Sequence, residues 1–316
     1  MKLNGDVVYR LVIVASLAFY SLYFVLRSKL QLTFERPFPI QEEKFTIRVN
    51  TFRRNDLLAA FLDHYTTCAR VEVVQVVWSD QQNQPPPHLV ALYPNSKVVY
   101  ETHTTDRLSN RFKALLPPPT RGVLSIDDDL LISCEQLHQG FNIWTANEHA
   151  LVGYSPRMHG VNPVSGDDRY LRWQNTWWMG VYSIALTKAS FMHKRYLQDF
   201  FDVLPADFIA DIDKHRNCED LAMAYVVAVV GRAPPVWVQA VVHETADFGI
   251  STGTSHFDDR SACLTQMRKL KLNVSAGLEA AGHVNPGELP LIPSYQKAIP
   301  LSATWDWIRL SQGGVK

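Results

Sequence analysis

Three consecutive aspartates, Asp127, Asp128 and Asp129, follow an apolar segment, Gly122–Ile126, that is typical of a buried strand. Like charges this close raise one another's pKa, so the triplet is unfavourable unless a positive group meets it. A hard divalent cation with carboxylate and phosphate oxygens as ligands, Mn²⁺ or Mg²⁺, would meet that need. A solvated turn or a helix N-terminus, where aspartate is also favoured, is the alternative interpretation.

A second polar cluster, Asn217 to Asp220, stands at the start of an apolar segment that is typical of a helix. Taken alone, it is explained by helix capping at Asn217, with Glu219 and Asp220 as acidic residues of the first turn. A chemical role for Asp220 therefore depends on further observations.

Five arginines are candidates for binding an anionic ligand, because a guanidinium can fork onto phosphate oxygens or a base. They are Arg53, Arg54, Arg107, Arg111 and Arg260. For any one of them alone, a solvated surface position is the simpler interpretation. Lys plus Arg and Asp plus Glu both number 31, so the formal net charge is zero. This balance argues against a nucleic-acid partner, and an anionic ligand must be met by a local cluster.

Other catalytic signatures are missing from the sequence. It has no glycine-rich phosphate loop, no H-E-x-x-H and no CxxC pair. The 11 histidines show no zinc-ligand spacing. A metal-dependent phosphoesterase built on the aspartate triplet would need a second metal site, for which the sequence offers no good ligand set.

The elements that must position these residues alternate between strands and helices. In the first half, the pattern predicts strands at Phe45–Phe52, Val71–Trp78, Val98–Glu101 and Gly122–Ile126, and helices at Asn55–Tyr65 and Leu108–Leu116. In the second half, it predicts strands at Ala150–Tyr154, Tyr182–Leu186 and Val236–Val242, and helices at Ser190–Val203, Cys218–Val230 and Asp258–Leu272. This alternation predicts an α/β fold with a Rossmann-like, mostly parallel central sheet flanked by helices. Ligands bind beyond the carboxyl ends of such strands, where the aspartate triplet falls.

Residues 7–26 are nearly all apolar, with Arg10 as the main interruption. Because a bilayer core needs about 20 apolar residues in a helix, this stretch predicts one transmembrane signal anchor behind a short tail at residues 1–6. A cleaved signal peptide is the alternative. We expect residues 27–43 to form a short stem, residues 44–275 one large domain, and residues 276–316 a tail packed on that domain.

Two features favour placement of this domain in the lumen of the secretory pathway. Asn273 begins an N-glycosylation sequon, and four cysteines could pair in an oxidising compartment, although they would be ordinary thiols in cytosol. Together with the anchor, they predict a single-pass type II protein of the Golgi or endoplasmic reticulum membrane. Basic residues flank both ends of the anchor, so charge alone does not set its orientation.

Five segments, in this order along the chain, resemble glycosyltransferase family 64, which includes the exostosin C-terminal domain and the exostosin-like proteins. They are Asn50–Leu58, Val76–Trp78, Asp106–Arg111, Ile126–Asp129 and Asn217–Ala222. Trp177 and Trp178 with Tyr182–Leu186, and Gly249–Ser251 before Arg260, are most similar to the short plant-type members. Those members are proposed to glycosylate inositol phosphoceramide sphingolipids in the Golgi.

The resemblance implies a GT-A fold, a Mn²⁺-dependent nucleotide-sugar donor and retention of anomeric configuration. By position, Asp127 to Asp129 match the acidic metal motif of the family. Asp127 would face the ribose, Asp128 would lie beside the nucleotide sugar, and Asp129 would bind the metal. Arg54 and Arg111 match basic residues that hold the nucleotide and its diphosphate.

The remaining matches concern the reacting sugar. Asp220 matches the acid near the sugar's reacting carbon, and Arg260 matches a basic residue near the diphosphate. Cys218 and Cys263 match a disulfide pair of the family. Departures occur at Asp80 and Asp106, where animal members have Asn, and at Glu219, which replaces an Asp. Because these positions lie near the nucleotide, UDP-sugar and GDP-sugar donors both stay open.

The resemblance therefore implies an enzyme that moves a hexose or N-acetylhexosamine from a nucleotide-diphosphate sugar to a glycan or glycolipid acceptor. Asp220 would either stabilise an oxocarbenium-like state or act as the nucleophile of a double displacement. A catalytically silent relative, binding nucleotide or sugar as a partner module, is the alternative function. Self-association into a homo-oligomer is also left open.

Overall fold

The computed structural model describes residues 43–93, 97–179, 181–246, 255–270 and 296–297. The predicted membrane anchor, the stem up to residue 42 and the Asn273 sequon lie outside these residues. Among the described residues, none of the helices has the length and apolar character needed to cross a bilayer. Of the predicted C-terminal tail, only Gln296–Lys297 is described, as a short strand beside Val181–Tyr182.

Fourteen strands and eight α-helices are described. The strands are β1 (Phe45–Thr51), β2 (Val71–Trp78), β3 (Val98–Thr102), β4 (Gly122–Asp127), β5 (Leu130–Leu131), β6 (Val152–Gly153), β7 (Pro156–Val161), β8 (Asp168–Leu171), β9 (Val181–Tyr182), β10 (Ile184–Ala185), β11 (Ala189–His193), β12 (Val236–Trp237), β13 (His243–Glu244) and β14 (Gln296–Lys297). The helices are α1 (Asn55–Tyr65), α2 (Pro87–Leu92), α3 (Cys134–Thr145), α4 (Trp173–Met179), α5 (Arg195–Val203), α6 (Ala206–His215), α7 (Glu219–Gly231) and α8 (His256–Lys269), with a 3₁₀ turn at Leu108–Arg111.

The central sheet has seven strands in the order β12-β6-β11-β4-β1-β2-β3. Strand β1 runs parallel to β2 and β4, and β2 runs parallel to β3. Strand β11 runs antiparallel to both β4 and β6. The prediction of a mixed α/β fold with a mostly parallel central sheet is therefore confirmed.

The register of the central strands explains why polar residues gather at one edge. Asn50 of β1 lies opposite both Asp127 of β4 and Val77 of β2. The carboxyl ends of three parallel strands therefore meet at one edge, where an open α/β sheet binds ligands. The two faces of the sheet are covered by separate hydrophobic clusters. Phe45, Ile47 and Val49 of β1 belong to one cluster, whereas Arg48 on the opposite face is buried against Gln75 and Glu101.

The predicted helix at Ser190–Val203 is wrong in its first part, because Ala189–His193 is strand β11. Phe191 and Met192 are consecutive yet lie in different hydrophobic clusters, on the two faces of the sheet. A short apolar run that is buried on both faces cannot be told from a buried helix by its periodicity. The helix begins only at Arg195, from where buried residues recur at helical spacing.

The predicted helix at Leu108–Leu116 is also wrong beyond its first turn, since only Leu108–Arg111 is helical. The Glu101 carboxylate accepts hydrogen bonds from the backbone N–H groups of Leu115 and Leu116, both at 3.3 Å. These contacts draw the chain away from a helical path just before three prolines at residues 117–119.

A small antiparallel sheet of β10, β7 and β8 connects the central sheet to α8. Its outer strand β8 is fixed to α8 by two hydrogen bonds, from Asp168 N–H to Thr265 Oγ1 at 2.9 Å and from Tyr170 N–H to Ser261 Oγ at 3.0 Å. This contact places Tyr170 beside the buried face of α8, where Arg260 lies.

Candidate active site

The aspartate triplet is a strand-to-strand turn. Asp127 ends β4, and Asp128 and Asp129 lead into β5, so the helix N-terminus interpretation is wrong. Asp127 N–H donates to the Lys188 carbonyl at 2.9 Å, and Thr245 N–H donates to the Asp129 carbonyl at 2.8 Å. Two separate segments therefore hold the backbone of this turn and fix where its carboxylates lie.

Arg54 provides positive charge to two of the three carboxylates. Its Nη1 lies 3.1 Å from Asp128 Oδ1 and 3.1 Å from Asp129 Oδ2. Asp128 is buried, and this burial raises its pKa against the opposing effect of Arg54. The Thr51 side chain at the end of β1 lies beside this carboxylate and also opposes the rise in its pKa.

Arg111 links the triplet to the second polar cluster. Its Nη2 donates to the Asp127 carboxylate, and its Nη1 lies 3.5 Å from Glu219 Oε1 at the start of α7. The guanidinium is buried, so little water screens it from these acids. Burial, followed by the charge of Asp220, raises the pKa of Glu219.

Asp220 and Arg260 form a buried ion pair between α7 and α8. Asp220 Oδ2 accepts from Arg260 Nη2 at 2.9 Å, and Asp220 Oδ1 accepts from the N–H of Leu221 at 2.8 Å. Burial alone would raise the pKa of Asp220, but the charge of Arg260 and its hydrogen bond outweigh it and hold that pKa below its usual range. The carboxylate therefore stays ionised at neutral pH.

Two further residues hold Arg260. Its Nε donates to His256 Nε2 at 3.0 Å, and its Nη1 donates to the Tyr170 hydroxyl at 3.3 Å. Sequence reasoning missed both partners. His256 lies four residues before Arg260 and so shares its helix face, but the predicted helix began at Asp258 and excluded it. The pairing of Tyr170 with Arg260 depends on how β8 packs against α8, for which the sequence gives no local signal.

The start of α7 is shaped by its cysteine rather than by an asparagine cap. The N-cap is Cys218, with a left-handed φ of 79°, so the capping interpretation of Asn217 is wrong. The Asn217 side chain instead accepts from the N–H of Cys218 at 2.8 Å and donates to the His256 carbonyl at 3.2 Å. The Cys218–Cys263 disulfide is present and joins this turn to α8.

A second disulfide, Cys68–Cys134, joins the turn that follows α1 to the start of α3. Sequence reasoning named both cysteines without pairing them. His64 lies close enough to complete a cysteine–histidine group. It is not a metal site, because both sulfurs are in the disulfide.

Asp80 and Asp106 follow the neighbouring strands β2 and β3 and make contacts outside the triplet cluster. Asp80 Oδ2 accepts from Asn83 at 2.8 Å and from Arg53 Nε at 3.0 Å, and these contacts lower the pKa of Asp80 to about 2. Asp106 Oδ2 accepts from Arg216 Nη1 at 2.8 Å. Sequence reasoning did not single out Arg216, because nothing in its local pattern distinguishes it from a surface arginine at a helix end.

Apart from Asp80 and Asp106, the residues predicted for catalysis and for nucleotide-sugar and metal binding therefore form two connected groups. Arg54 and Arg111 meet the aspartate triplet, and Glu219 leads from Arg111 to the Asp220–Arg260 pair. These contacts connect three kinds of group: oxygen ligands for a hard cation, guanidinium donors for a diphosphate and a buried ionised carboxylate.

Comparison with known proteins finds relatives that align over most of this chain. The sequence profile of the glycosyl transferase family 64 domain matches residues 45–273. Glycosylinositol phosphorylceramide mannosyl transferase 1 of Arabidopsis thaliana is 30% identical over 280 residues, covering 83% of this chain and 78% of that protein. Human exostosin-like 2 is 30% identical over 239 residues, covering 71% of this chain and 72% of that protein. A crystal structure of S. aureus TarS 1-349 with UDP-GlcNAc is 17% identical, with a TM-score of 0.48, covering 76% of this chain and 68% of that one.

Proposed function

The chain belongs to glycosyltransferase family 64 and is a glycosyltransferase, and we propose that it is a retaining, Mn²⁺-dependent enzyme of the GT-A type. It moves a hexose or N-acetylhexosamine from a nucleotide-diphosphate sugar to a glycolipid acceptor. Mannose and an inositol phosphoceramide headgroup are the first pair to test, because the Arabidopsis relative that aligns over 83% of this chain carries that activity in its name.

The observation that carries the proposal is the connected set of charges at the carboxyl edge of the sheet. Arg111 contacts both Asp127, the last residue of β4, and Glu219, the residue before Asp220. Asp220 therefore directly follows Glu219, which Arg111 links to the aspartate triplet. A donor whose diphosphate lies on the triplet would place its sugar towards Asp220.

The residues at the triplet fit a divalent cation. The Asp129 side chain is 21% exposed, so a cation could reach it from solvent. The Asp128 carboxylate and the Thr51 hydroxyl beside it offer oxygen atoms, which hard cations prefer. Asp129 would bind the ion, with Asp128 beside it. When bound, such a cation neutralises charge on a leaving diphosphate.

The protein's own residues supply the remaining chemistry. Arg54 and Arg111 hold the diphosphate as fixed donors, and Arg260 assists at the phosphate nearest the sugar. Fixed donors of this kind do not reorganise during the reaction, and removal of one commonly costs about 3–4 kcal/mol of barrier. The ionised Asp220 carboxylate stabilises positive charge that develops on the sugar ring, and an attack by Asp220 on the sugar carbon is the alternative route to retention.

Membrane anchoring and luminal placement are part of the same proposal. The anchor is assigned to residues 7–26 from the sequence, and two disulfides within the described domain suit an oxidising compartment. The test is translation of the chain with microsomes. If the domain is luminal, it should be protected from added protease. It should also gain a glycan at Asn273, seen as an increase in mass that endoglycosidase treatment or Asn273→Gln removes. Digestion of the domain by protease outside intact microsomes would contradict it.

The proposal is tested by nucleotide binding to the full-length chain in detergent, measured by calorimetry. One of UDP and GDP is expected to bind only with Mn²⁺, and Asp129→Ala is expected to abolish that binding. Asp211→Ala, which removes an exposed aspartate from α6, is the matched control and should bind as the wild type does.

Transfer from the matching nucleotide sugar to inositol phosphoceramide then tests the acceptor, and NMR of the product gives its anomeric configuration. A folded protein that binds neither nucleotide would overturn the proposed function.

A further inference from the structure

Three different elements hold the three nitrogens of the Arg260 guanidinium. Nη2 donates to Asp220 on α7, Nε to His256 on α8 and Nη1 to Tyr170 on β8, at 2.9, 3.0 and 3.3 Å. A guanidinium is a rigid plane whose donors point in fixed directions. Acceptors on three sides therefore determine both the position and the orientation of Arg260.

The contact with His256 requires one protonation state of the imidazole. Arginine carries only donors and stays protonated in proteins, so the Nε–H of Arg260 must donate and His256 Nε2 must accept. An imidazole accepts only when it is neutral, which here places its single proton on Nδ1. A protonated His256 would present an N–H to another N–H and add a second positive charge beside the guanidinium.

The surroundings of His256 favour the neutral form. The ring is buried, with Phe257 packed edge-on against it, and among the described residues the charged groups near it are Arg260, Asp220 and Asp259. Burial, followed by the charge of Arg260, lowers the pKa of His256 from its ordinary 6.5, and the two aspartates only partly oppose this. Two polar residues also contact the His256–Arg260 pair: the Asn217 side chain donates to the His256 carbonyl, and the Tyr170 hydroxyl accepts from Arg260.

We propose that His256 is a positioning residue that must be neutral to hold Arg260 against Asp220, so that its protonation releases the pair and stops sugar transfer at acid pH. The inference rests on the proposed role of Arg260 beside the donor diphosphate. It adds a residue that contacts no substrate and whose effect passes through Arg260. A purely structural role for His256 would lower stability without giving the transfer rate a pH dependence of its own.

The test compares the pH profiles of kcat for the wild type, His256→Gln and His256→Leu. Glutamine keeps an acceptor oxygen and does not titrate, so His256→Gln should retain most of its kcat near pH 7.5. It should also lack the acid limb that is expected of the wild type below pH 6.5. His256→Leu removes the acceptor and should lower kcat by about 100-fold at every pH, as for a misplaced catalytic group. His88→Gln, which changes an exposed histidine on α2, is the control and should leave the profile unchanged.

Histidine and arginine side-chain NMR tests the same inference without any turnover. His256 should titrate below its ordinary value, and hydrogen exchange at the Nε–H of Arg260 should accelerate as His256 becomes protonated. A His256→Gln enzyme with an unchanged acid limb would overturn the inference, and so would an Arg260 Nε–H that is insensitive to that titration. If the wild type transfers no sugar at all, the proposed function fails, while the NMR titration still decides whether His256 holds Arg260.

Discussion

The Asp220 carboxylate lies 2.9 Å from the Arg260 guanidinium, and both side chains are buried where α7 meets α8. Removal of one partner leaves the other charge buried without compensation, which typically costs about 3–5 kcal/mol. We therefore expect Asp220→Leu and Arg260→Met each to lower the free energy of unfolding by about 3 kcal/mol or more. The double variant should lose less than the sum of the two, because no charge is then left unpaired. Denaturant unfolding measures all three values.

Sugar transfer by the same three variants separates stability from chemistry. A double variant that recovers stability should still lack turnover, since both charges are gone. Additive losses of stability would show that the two side chains do not interact as the structure indicates, and recovered transfer in the double variant would remove both residues from the mechanism.

Arg54 occupies the carboxylate oxygens that a divalent cation would need. Its Nη1 is 3.1 Å from an oxygen of Asp128 and from one of Asp129. Arg54→Met should therefore let Mn²⁺ alone raise the Tm by more than it does in the wild type, because the cation no longer competes with a guanidinium. Nucleotide affinity should fall by about tenfold or more, as expected for one lost charge-assisted hydrogen bond. Scanning calorimetry and titration calorimetry give the two quantities.

The control for this change is Arg121→Met, which removes an arginine from the opposite end of β4. Arg121 contacts Glu43 and Glu148 on the surface, and exposed ion pairs contribute little. Its response to Mn²⁺ should match that of the wild type. Equal stabilisation of all three proteins by Mn²⁺ would indicate that the cation does not bind at the oxygens held by Arg54.

Glu219 should make stability depend on pH in an unusual direction. Its pKa is raised above the ordinary 4.5, mainly by burial and then by Asp220, so the folded protein binds more protons than the unfolded chain from about that pH upwards. The contribution of Glu219 to stability is therefore present below pH 4.5 and is lost as the pH rises through the folded-state pKa. The Glu219→Gln variant has no group that titrates at this position. Its free energy of unfolding minus that of the wild type should therefore increase from pH 4 to pH 8. Unfolding free energies across that range test this, and a constant difference would contradict it.

Much of the first half of the fold could be predicted because its strands and helices are short, regular and separated by polar residues. Helix α1 and strand β2 were predicted to their end residues, Asn55–Tyr65 and Val71–Trp78. The position of the aspartate triplet follows from the same pattern, since acids after a buried parallel strand must lie at the ligand-binding edge. Strand β11 was missed because an apolar run buried on both faces has no distinctive period.

The contacts around Arg260 could not be predicted in this way. The residue lies 40 positions after Asp220 and 90 after Tyr170, and packing of α7, α8 and β8 brings the three together. The family resemblance supplied roles for Asp220 and Arg260, but it did not supply the partners that hold Arg260. Such partners depend on long-range packing, which propensity and periodicity do not encode.

The two disulfides allow the geometry of the site to be tested separately from global stability. They close loops with sequence separations of 45 and 66 residues, so loop entropy predicts a similar stabilisation of about 4 kcal/mol from each. Only Cys218–Cys263 joins the segments that carry Asp220 and Arg260. Cys68–Cys134 joins α1 to α3, and the triplet turn beside them is held independently by Lys188 and Thr245.

We therefore expect Cys218→Ala/Cys263→Ala and Cys68→Ala/Cys134→Ala to lose similar free energies of unfolding but to differ in kcat. The first pair should lose about tenfold or more, because a small displacement of Arg260 from Asp220 disturbs a preorganised site. The second pair should keep a kcat near that of the wild type when both proteins are assayed well below their Tm. Equal losses of kcat in the two double variants would mean that the Cys218–Cys263 bridge stabilises the domain without positioning the Asp220–Arg260 pair.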